Sequence, residues 1–281
     1  MKILVTGGTG YLGTHVRHFL NADDFSRSSN FDVLKLHDVK VVEEYDMVIH
    51  LAAHLDKDPL AADEVFLTNV EGTVNILQNM RKDAIFIFAS TKDVYGRFAD
   101  NYAEVPETCQ TFYAGQSALE WSKLIAERYV DYYANQIGFR SCIFRLSTVY
   151  APPTEANELN FVGHYADAIN KGEWMRLPGG GVPLRDLLHV DDLSAACTAF
   201  ADSVIRHGLY NLGGGRENAI NLTDLVAKLE EVSGLQAIVD KETPGPSPVP
   251  LNYVSDLTLL NQELGWKPRI KLEDGLKTLF A

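Results

Sequence analysis

The sequence predicts an α/β protein: a doubly wound parallel sheet carrying a smaller C-terminal α/β domain. Three observations lead there. Short apolar runs alternate with amphipathic stretches over residues 1–150, the pattern of parallel strands joined by crossover helices. A glycine-rich turn, Thr6-Gly7-Gly8-Thr9-Gly10-Tyr11-Leu12-Gly13, joins the first apolar run to the first amphipathic stretch. At Ala151-Pro152-Pro153 the regular alternation stops and the composition becomes mixed.

The elements follow in order. Lys2 to Val5 reads as a buried strand, and His15 to Leu20 as the first helix. Asn21 to Asn30 is polar and predicts a loop. Phe31 to Asp38 alternates like a second strand ending in an acid. Asp46 to Ala53 predicts a buried strand with small residues at its end, Val65 to Met80 a helix, and Ala84 to Ala89 a strand. The stretch 116–136 predicts a long helix whose apolar positions cover more than one face, which implies a subunit interface as well as a core contact. Ser141 to Leu146 closes the first part as a strand. Helices are expected at Leu159 to Lys171, Leu193 to Ser203 and Asn221 to Ser233, and a short strand at Leu209 to Leu212. The proline-rich run from Thr243 to Pro250 predicts a surface loop. The expected division is 1–150 for the first domain, with 187–212 returning to it, and 151–186 plus 213–281 for the second.

Bulk composition narrows the function classes. With 46% hydrophobic and 22% charged residues, the chain is ordinary for a globular protein. Its net charge of −13 disfavours nucleic acid, because no basic stripe offsets it. Cys109, Cys142 and Cys197 show neither metal spacing nor a disulfide framework, so no metal and a reducing, cytoplasmic setting are expected. No run approaches the ~20 apolar residues of a membrane span, and the N-terminus reads as a core strand rather than a signal peptide.

The glycine turn is the strongest local signal. It holds two superposed frames, Gly8-x-Gly10-x-x-Gly13 and Gly7-x-x-Gly10-x-x-Gly13, between a strand and a helix. Backbone without Cβ atoms can turn tightly there and set amide N–H groups against a pyrophosphate. The other reading is a tight turn without a ligand. Asp38 falls where an acid would hold an adenosine ribose, or else it caps the helix that follows. The first role would exclude a 2′-phosphate and favour NAD, while Lys35 and Lys40 nearby keep NADP open.

Together these stretches resemble the extended short-chain dehydrogenase/reductase family, in its nucleotide-sugar epimerase/dehydratase branch. Thr6 to Gly13 resembles the family's cofactor loop, and Ile49-His50-Leu51-Ala52-Ala53 and Asn69-Val70-Glu71-Gly72-Thr73 its next two markers. Ala89 to Gly96 is similar to the segment carrying the catalytic Ser/Thr, which falls on Thr91. Arg145 to Pro152 resembles the segment under the nicotinamide, and Arg185 to Asp192 the motif whose arginine holds the substrate diphosphate. Tyr210 to Gly214 and Leu264 to Pro268 match the C-terminal markers. The resemblance implies a Rossmann-type sheet, NAD or NADP, and transient hydride transfer at a carbon of a nucleotide-linked sugar. For the coenzyme it implies Gly7, Thr9, Gly10, Tyr11, Leu12, Gly13, Asp38, Leu51, Ala52, Ala53, Asn69, Ala89, Lys123 and Leu146; for substrate, Thr91, Thr148, Arg185 and Arg216. The wide apolar surface of the 116–136 helix points to a homodimer through that helix.

One departure stands out. The family's Tyr-x-x-x-Lys falls on Leu119 and Lys123. The phenol handles the substrate proton, helped by a lysine one helical turn away whose charge stabilises phenolate. Leucine can do neither. Four accounts compete. Tyr113, Glu120 or Tyr95 takes over the proton; the reaction needs less acid–base help; the protein binds coenzyme and nucleotide sugar without turnover; or the leucine is an introduced substitution. Expected catalytic positions are therefore Thr91, Lys123, Glu120 and Tyr113.

Overall fold

The computed structural model describes residues 1–154, 159–240 and 242–280. Its elements in chain order are β1 (Ile3–Thr6), α1 (Tyr11–Leu20), β2 (Asp23–Phe25), α2 (Leu36–Val39), β3 (Met47–His50), α3 (Ala62–Phe66), α4 (Gly72–Gln78), β4 (Ile85–Thr91), α5 (Ala118–Ile137), β5 (Arg140–Leu146), β6 (Thr148–Tyr150), α6 (Phe161–Lys171), β7 (Trp174–Met175), β8 (Leu184–His189), α7 (Val190–Asp202), β9 (His207–Leu212), β10 (Ala219–Asn221), α8 (Leu222–Ser233), β11 (Ile238–Val239), α9 (Thr258–Leu264) and α10 (Leu272–Lys277). Six strands form a parallel sheet in the order β2-β1-β3-β4-β5-β9. The doubly wound α/β fold read from the sequence is the observed one.

Alternation along the strands builds two cores. Val5, Ile49, Ile87 and Phe144 face one side, where Val16 of α1, Leu193 and Phe200 of α7 and Leu260 of α9 cover them. Their neighbours Leu4, Val48, Phe86 and Ile143 face the other, under Ile76 and Leu77 of α4 and Ala126, Val130 and Ala134 of α5. Strands covered on both faces read as continuous apolar runs, which is why β1, β3, β4 and β5 were legible. Beyond β5, a small sheet of β10, β8 and β6 and a pair of β11 with β7 carry a third core formed with α6, α8 and α10.

The second strand is not where the alternation puts it. The edge strand is Asp23–Phe25, inside the stretch expected to be a loop, and it pairs Leu4 with Asp23 and Thr6 with Phe25. The expected strand Phe31–Asp38 is instead a turn leading into α2. Its apolar residues pack over the end of the sheet: Phe31 stacks on Phe25 with ring centroids 5.0 Å apart, and Val33 is buried. Sheet pairing is set by backbone register, and an edge strand tolerates polar side chains. Two aspartates therefore form a strand while a better-patterned segment does not.

The predicted helix from Val65 to Met80 is α3 and α4 joined by a π-turn over Leu67–Glu71. The extra backbone residue there places Asn69, whose side chain accepts from the His54 amide at 2.7 Å and donates to the His54 carbonyl at 3.0 Å.

Candidate active site

The strand order reverses between β1 and β3, and in open α/β sheets ligands bind in the crevice at the carboxyl ends of strands at such a switch point. A cleft of about 880 Å³ lies there. Its floor is the glycine turn after β1, with Gly7, Gly10, Tyr11, Leu12 and Gly13. Leu51, Ala52 and Ala53 after β3 form one wall, and Ala89 and Thr91 at the end of β4, with Leu119, Lys123 and Leu146, line the far end.

The turn is closely built. Gly7 has φ of +69°, which favours glycine, and a Cβ there would meet the Ala52 nitrogen at 2.9 Å. On Gly13 a Cβ would meet the Gly7 carbonyl oxygen at 2.0 Å. Backbone cannot yield as a flexible side chain can. Gly13→Ala is therefore expected to weaken dinucleotide binding at least tenfold and to lower stability by about 1–3 kcal/mol; titration calorimetry and a urea midpoint measure the two effects.

At the far end, Thr91 ends β4, and its hydroxyl accepts from the Asp93 amide at 3.1 Å. Lys123 is buried, donates to the Ala89 carbonyl at 2.9 Å and stands 5.0 Å over the Phe88 ring. Burial brings its ammonium down to about 8, with the Glu127 carboxylate partly opposing the shift. His50, held between the Thr6 and Thr73 hydroxyls at 2.7 and 3.0 Å, is a satisfied core histidine; burial and the Lys123 charge pull it down to about 3.

Leu119 lines the cleft where the motif would place a phenol, and the substitutes read from the sequence lie elsewhere. Glu120 is turned away. Its carboxylate accepts from the Ser117 amide and hydroxyl, each at 2.6 Å, and meets Lys57 at 2.7 Å. It completes the capping box that starts α5. Tyr113 is 72% exposed and outside the lining. Tyr95 is buried behind the sheet end, donating to Asn211 at 2.6 Å and accepting from Arg145 at 3.1 Å.

Other expected positions also move. Asp38 does not reach the cleft: it accepts from the Asp32 amide at 2.8 Å and pairs with His37 at 2.8 Å within α2. It holds the 31–38 turn and leaves the ribose end to other residues. Thr9 lies outside the lining, bonded to Ser26 and Ser28, and Asn69 supports His54 from behind. Thr148 sits in the small sheet opposite Leu187 and does not line the cleft. Arg185 is buried and donates to the carbonyls of Leu184, Leu251 and Pro250 at 2.7–2.9 Å, so it clamps the 250–251 segment onto β8 instead of offering a fork to a diphosphate. Arg216 is 82% exposed and 3.5 Å from Glu104.

Sequence reasoning missed the opposite end. Phe25, Ser26, Arg27, Phe31, Asp32 and Val33 line the cleft beside the glycine turn, and His54, Asp56, Thr68, Asn160 and His164 line its rims. The signal existed: Ser26 lies about twenty residues beyond Gly7, the usual distance to a ribose-binding position. It was hidden because the strand before it has only three residues. Among the described residues, no three His, Cys, Asp or Glu side chains gather as metal ligands, and no helix is long and apolar enough to cross a membrane.

A glycine turn at a switch point, with a buried lysine and a threonine hydroxyl at the other end of one cleft, defines a nicotinamide-dinucleotide protein of Rossmann type. The sequence model of the NAD dependent epimerase/dehydratase family matches residues 3–213, and the chain belongs to that family. It is 27% identical to the CDP-paratose 2-epimerase of Salmonella typhi, covering 100% of this chain and 98% of that one. It is 28% identical to the dTDP-glucose 4,6-dehydratase of Mycobacterium tuberculosis, covering 99% and 92%. Its fold matches the Thermotoga maritima UDP-glucose 4-epimerase solved with UDP-glucose, with a TM-score of 0.84 at 23% identity over 99% and 97% of the two chains. These relatives are nucleotide-sugar epimerases and dehydratases.

Proposed function

We propose that this chain transfers hydride at a carbon of a nucleotide-linked sugar, either in a transient oxidation that leads to epimerisation or dehydration or in a net reduction by the reduced coenzyme, with Lys123 as the proton carrier. The observation that carries this reading is the single cleft joining the glycine turn to Thr91, Lys123 and Leu119. Gly7, Gly10 to Gly13, Leu51 to Ala53, Ala89 and Leu146 would hold the coenzyme, which would supply the hydride acceptor and donor. Thr91 hydrogen-bonds the sugar hydroxyl and orients it. Lys123, with its proton affinity brought near neutrality by burial, takes that hydroxyl's proton and later returns it. Leu119 excludes water from the lysine's side of the cleft. The sugar nucleotide lies between the strand ends and the smaller lobe of 151–186 and 213–281, of which residues 155–158, 241 and 281 lie outside the described ones.

The free, buried cysteines suit a reducing, cytoplasmic setting. Ile125, Tyr129 and Tyr132 are exposed on α5, which supports a homodimer through that helix.

A second reading is favoured by Leu119 itself: a protein that binds dinucleotide and nucleotide sugar without turnover. One assay separates the two. The purified protein is given NAD or NADP with UDP-, dTDP-, CDP- and GDP-hexoses, while near-ultraviolet absorbance and the mass of the sugar product are followed. Conversion of any sugar supports the enzyme. Tight dinucleotide binding with no conversion across the panel supports the binding protein.

A further inference from the structure

We infer that the adenosine end of the cleft is built for a 2′-phosphate, so that this chain prefers NADP to NAD, with Arg27 as the selecting residue. The inference rests on the dinucleotide reading above and specifies which dinucleotide.

The register of β2 carries the argument. Phe25 is the last residue of the strand, opposite Thr6, and its carbonyl accepts the Gly7 amide at 2.8 Å. Ser26 is therefore the first residue beyond the strand, next to the glycine turn and in the cleft lining. In an NAD-selective site this position carries an acid that accepts both ribose hydroxyls, and its charge repels a phosphate. Here it is a hydroxyl, and the next residue is an arginine that also lines the cleft.

The anion contact falls to Arg27 alone. The neighbouring hydroxyls are engaged with each other and with a carboxylate: Ser26 donates to Asp24 at 2.7 Å, and Thr9 donates to Ser26 at 3.0 Å and lies 2.8 Å from the Ser28 hydroxyl. The Arg27 side chain is 67% exposed, and its Nε lies 3.5 Å from Asp32. That edge contact steers the guanidinium along the lining, and no acceptor among the described residues engages its two terminal nitrogens. A planar fork with two free N–H edges matches a phosphate bidentately, and a phosphate monoester carries about −1.5 to −2 charge near neutrality.

Two carboxylates could oppose this. Asp24 is behind the turn rather than in the lining: a Cβ on Gly8 would meet its Oδ1 at 2.4 Å, and its Oδ2 accepts from the Ser26 and Ser29 hydroxyls. Asp32 does line the cleft, but it accepts the Leu34 amide at 3.0 Å and is partly neutralised by Arg27 itself. Neither stands at the residue directly after the strand. The lysines read from sequence as phosphate candidates, Lys35 and Lys40, lie outside the lining.

Titration calorimetry of the full chain with NADP and with NAD, separately, tests the assignment. NADP is expected to bind about tenfold more tightly or better, the size of one charge-assisted bidentate contact. Arg27→Ala should remove that preference while leaving NAD affinity within about twofold, and Ser26→Asp should reverse it; far-ultraviolet circular dichroism checks that both variants fold. Equal or tighter binding of NAD by the unaltered chain overturns the proposal. So does a preference for NADP that survives Arg27→Ala, because the selecting group is then another. Binding of neither coenzyme at millimolar concentration removes the dinucleotide reading, and this inference with it.

Discussion

Replacing Lys123 by methionine is expected to lower turnover by about 10²–10⁴-fold, the range contributed by a positioned proton carrier. The change keeps the length and apolar stem of a side chain that packs beside Phe88, so the loss reports the amine. The pH profile carries the sign. The neutral amine is the base, and burial brings it to about 8 from an ordinary value of 10.5. Turnover of the unaltered enzyme should therefore rise through about pH 8 and level off above it. The methionine variant should lack that inflexion. A lysine acting only as a coenzyme ligand would instead leave the inflexion in place and raise the KM for the dinucleotide. Stability supplies a second readout. A depressed lysine binds fewer protons folded than unfolded between about 8 and its ordinary value, so it contributes stability as pH rises across that window and a fixed cost below it. The difference in urea midpoint between wild type and Lys123→Met should shift in favour of wild type from pH 8 to pH 10.

The largest effect on stability is expected at Arg145. Its guanidinium grips Glu127 with two bonds, Nε to Oε1 at 3.0 Å and Nη2 to Oε2 at 2.6 Å, with both side chains at 3% exposure or less. Ser90 donates to the same carboxylate, and Tyr95 joins the other side of the guanidinium. The cluster ties β4, α5 and β5 together directly behind Thr91. Arg145→Met leaves Glu127 buried without its counter-charge and should cost about 3–5 kcal/mol, read as a drop in the urea midpoint at pH 7. The double variant Arg145→Met with Glu127→Met removes both charges and should recover most of that loss, since a buried pair contributes little over apolar packing of similar volume. If the double variant is as unstable as the single, the pair is doing more than cancelling its own desolvation.

Much of the molecule could be read from the chain alone. Strands β1, β3, β4 and β5 are buried on both faces and spell apolar runs, so their places were plain. The glycine turn was plain because Gly7 and Gly13 are needed for backbone contacts, with Ala52 and within the turn, that admit no Cβ. Local chemistry also marked the start of α8, where Asn221 caps the first turn.

The ends of the cleft were decided elsewhere. Asp38 and Ser26 compete for one role, and the choice depends on which segment pairs with β1, a contact between residues far apart in sequence. Glu120, one residue beyond Leu119, looked available for proton transfer; the local Ser117-x-x-Glu120 capping box takes its carboxylate, and the fold adds Lys57 to it. Arg185 looked like a phosphate fork until the carbonyls of 250 and 251 took its donors. The sequence by itself determined the inner strands of the sheet, the turn that receives a dinucleotide and the absence of a phenol at Leu119. Only the tertiary structure decided which polar side chains face the cleft, because a buried charge goes to whatever partner the packing brings within reach, and sequence distance does not record that partner.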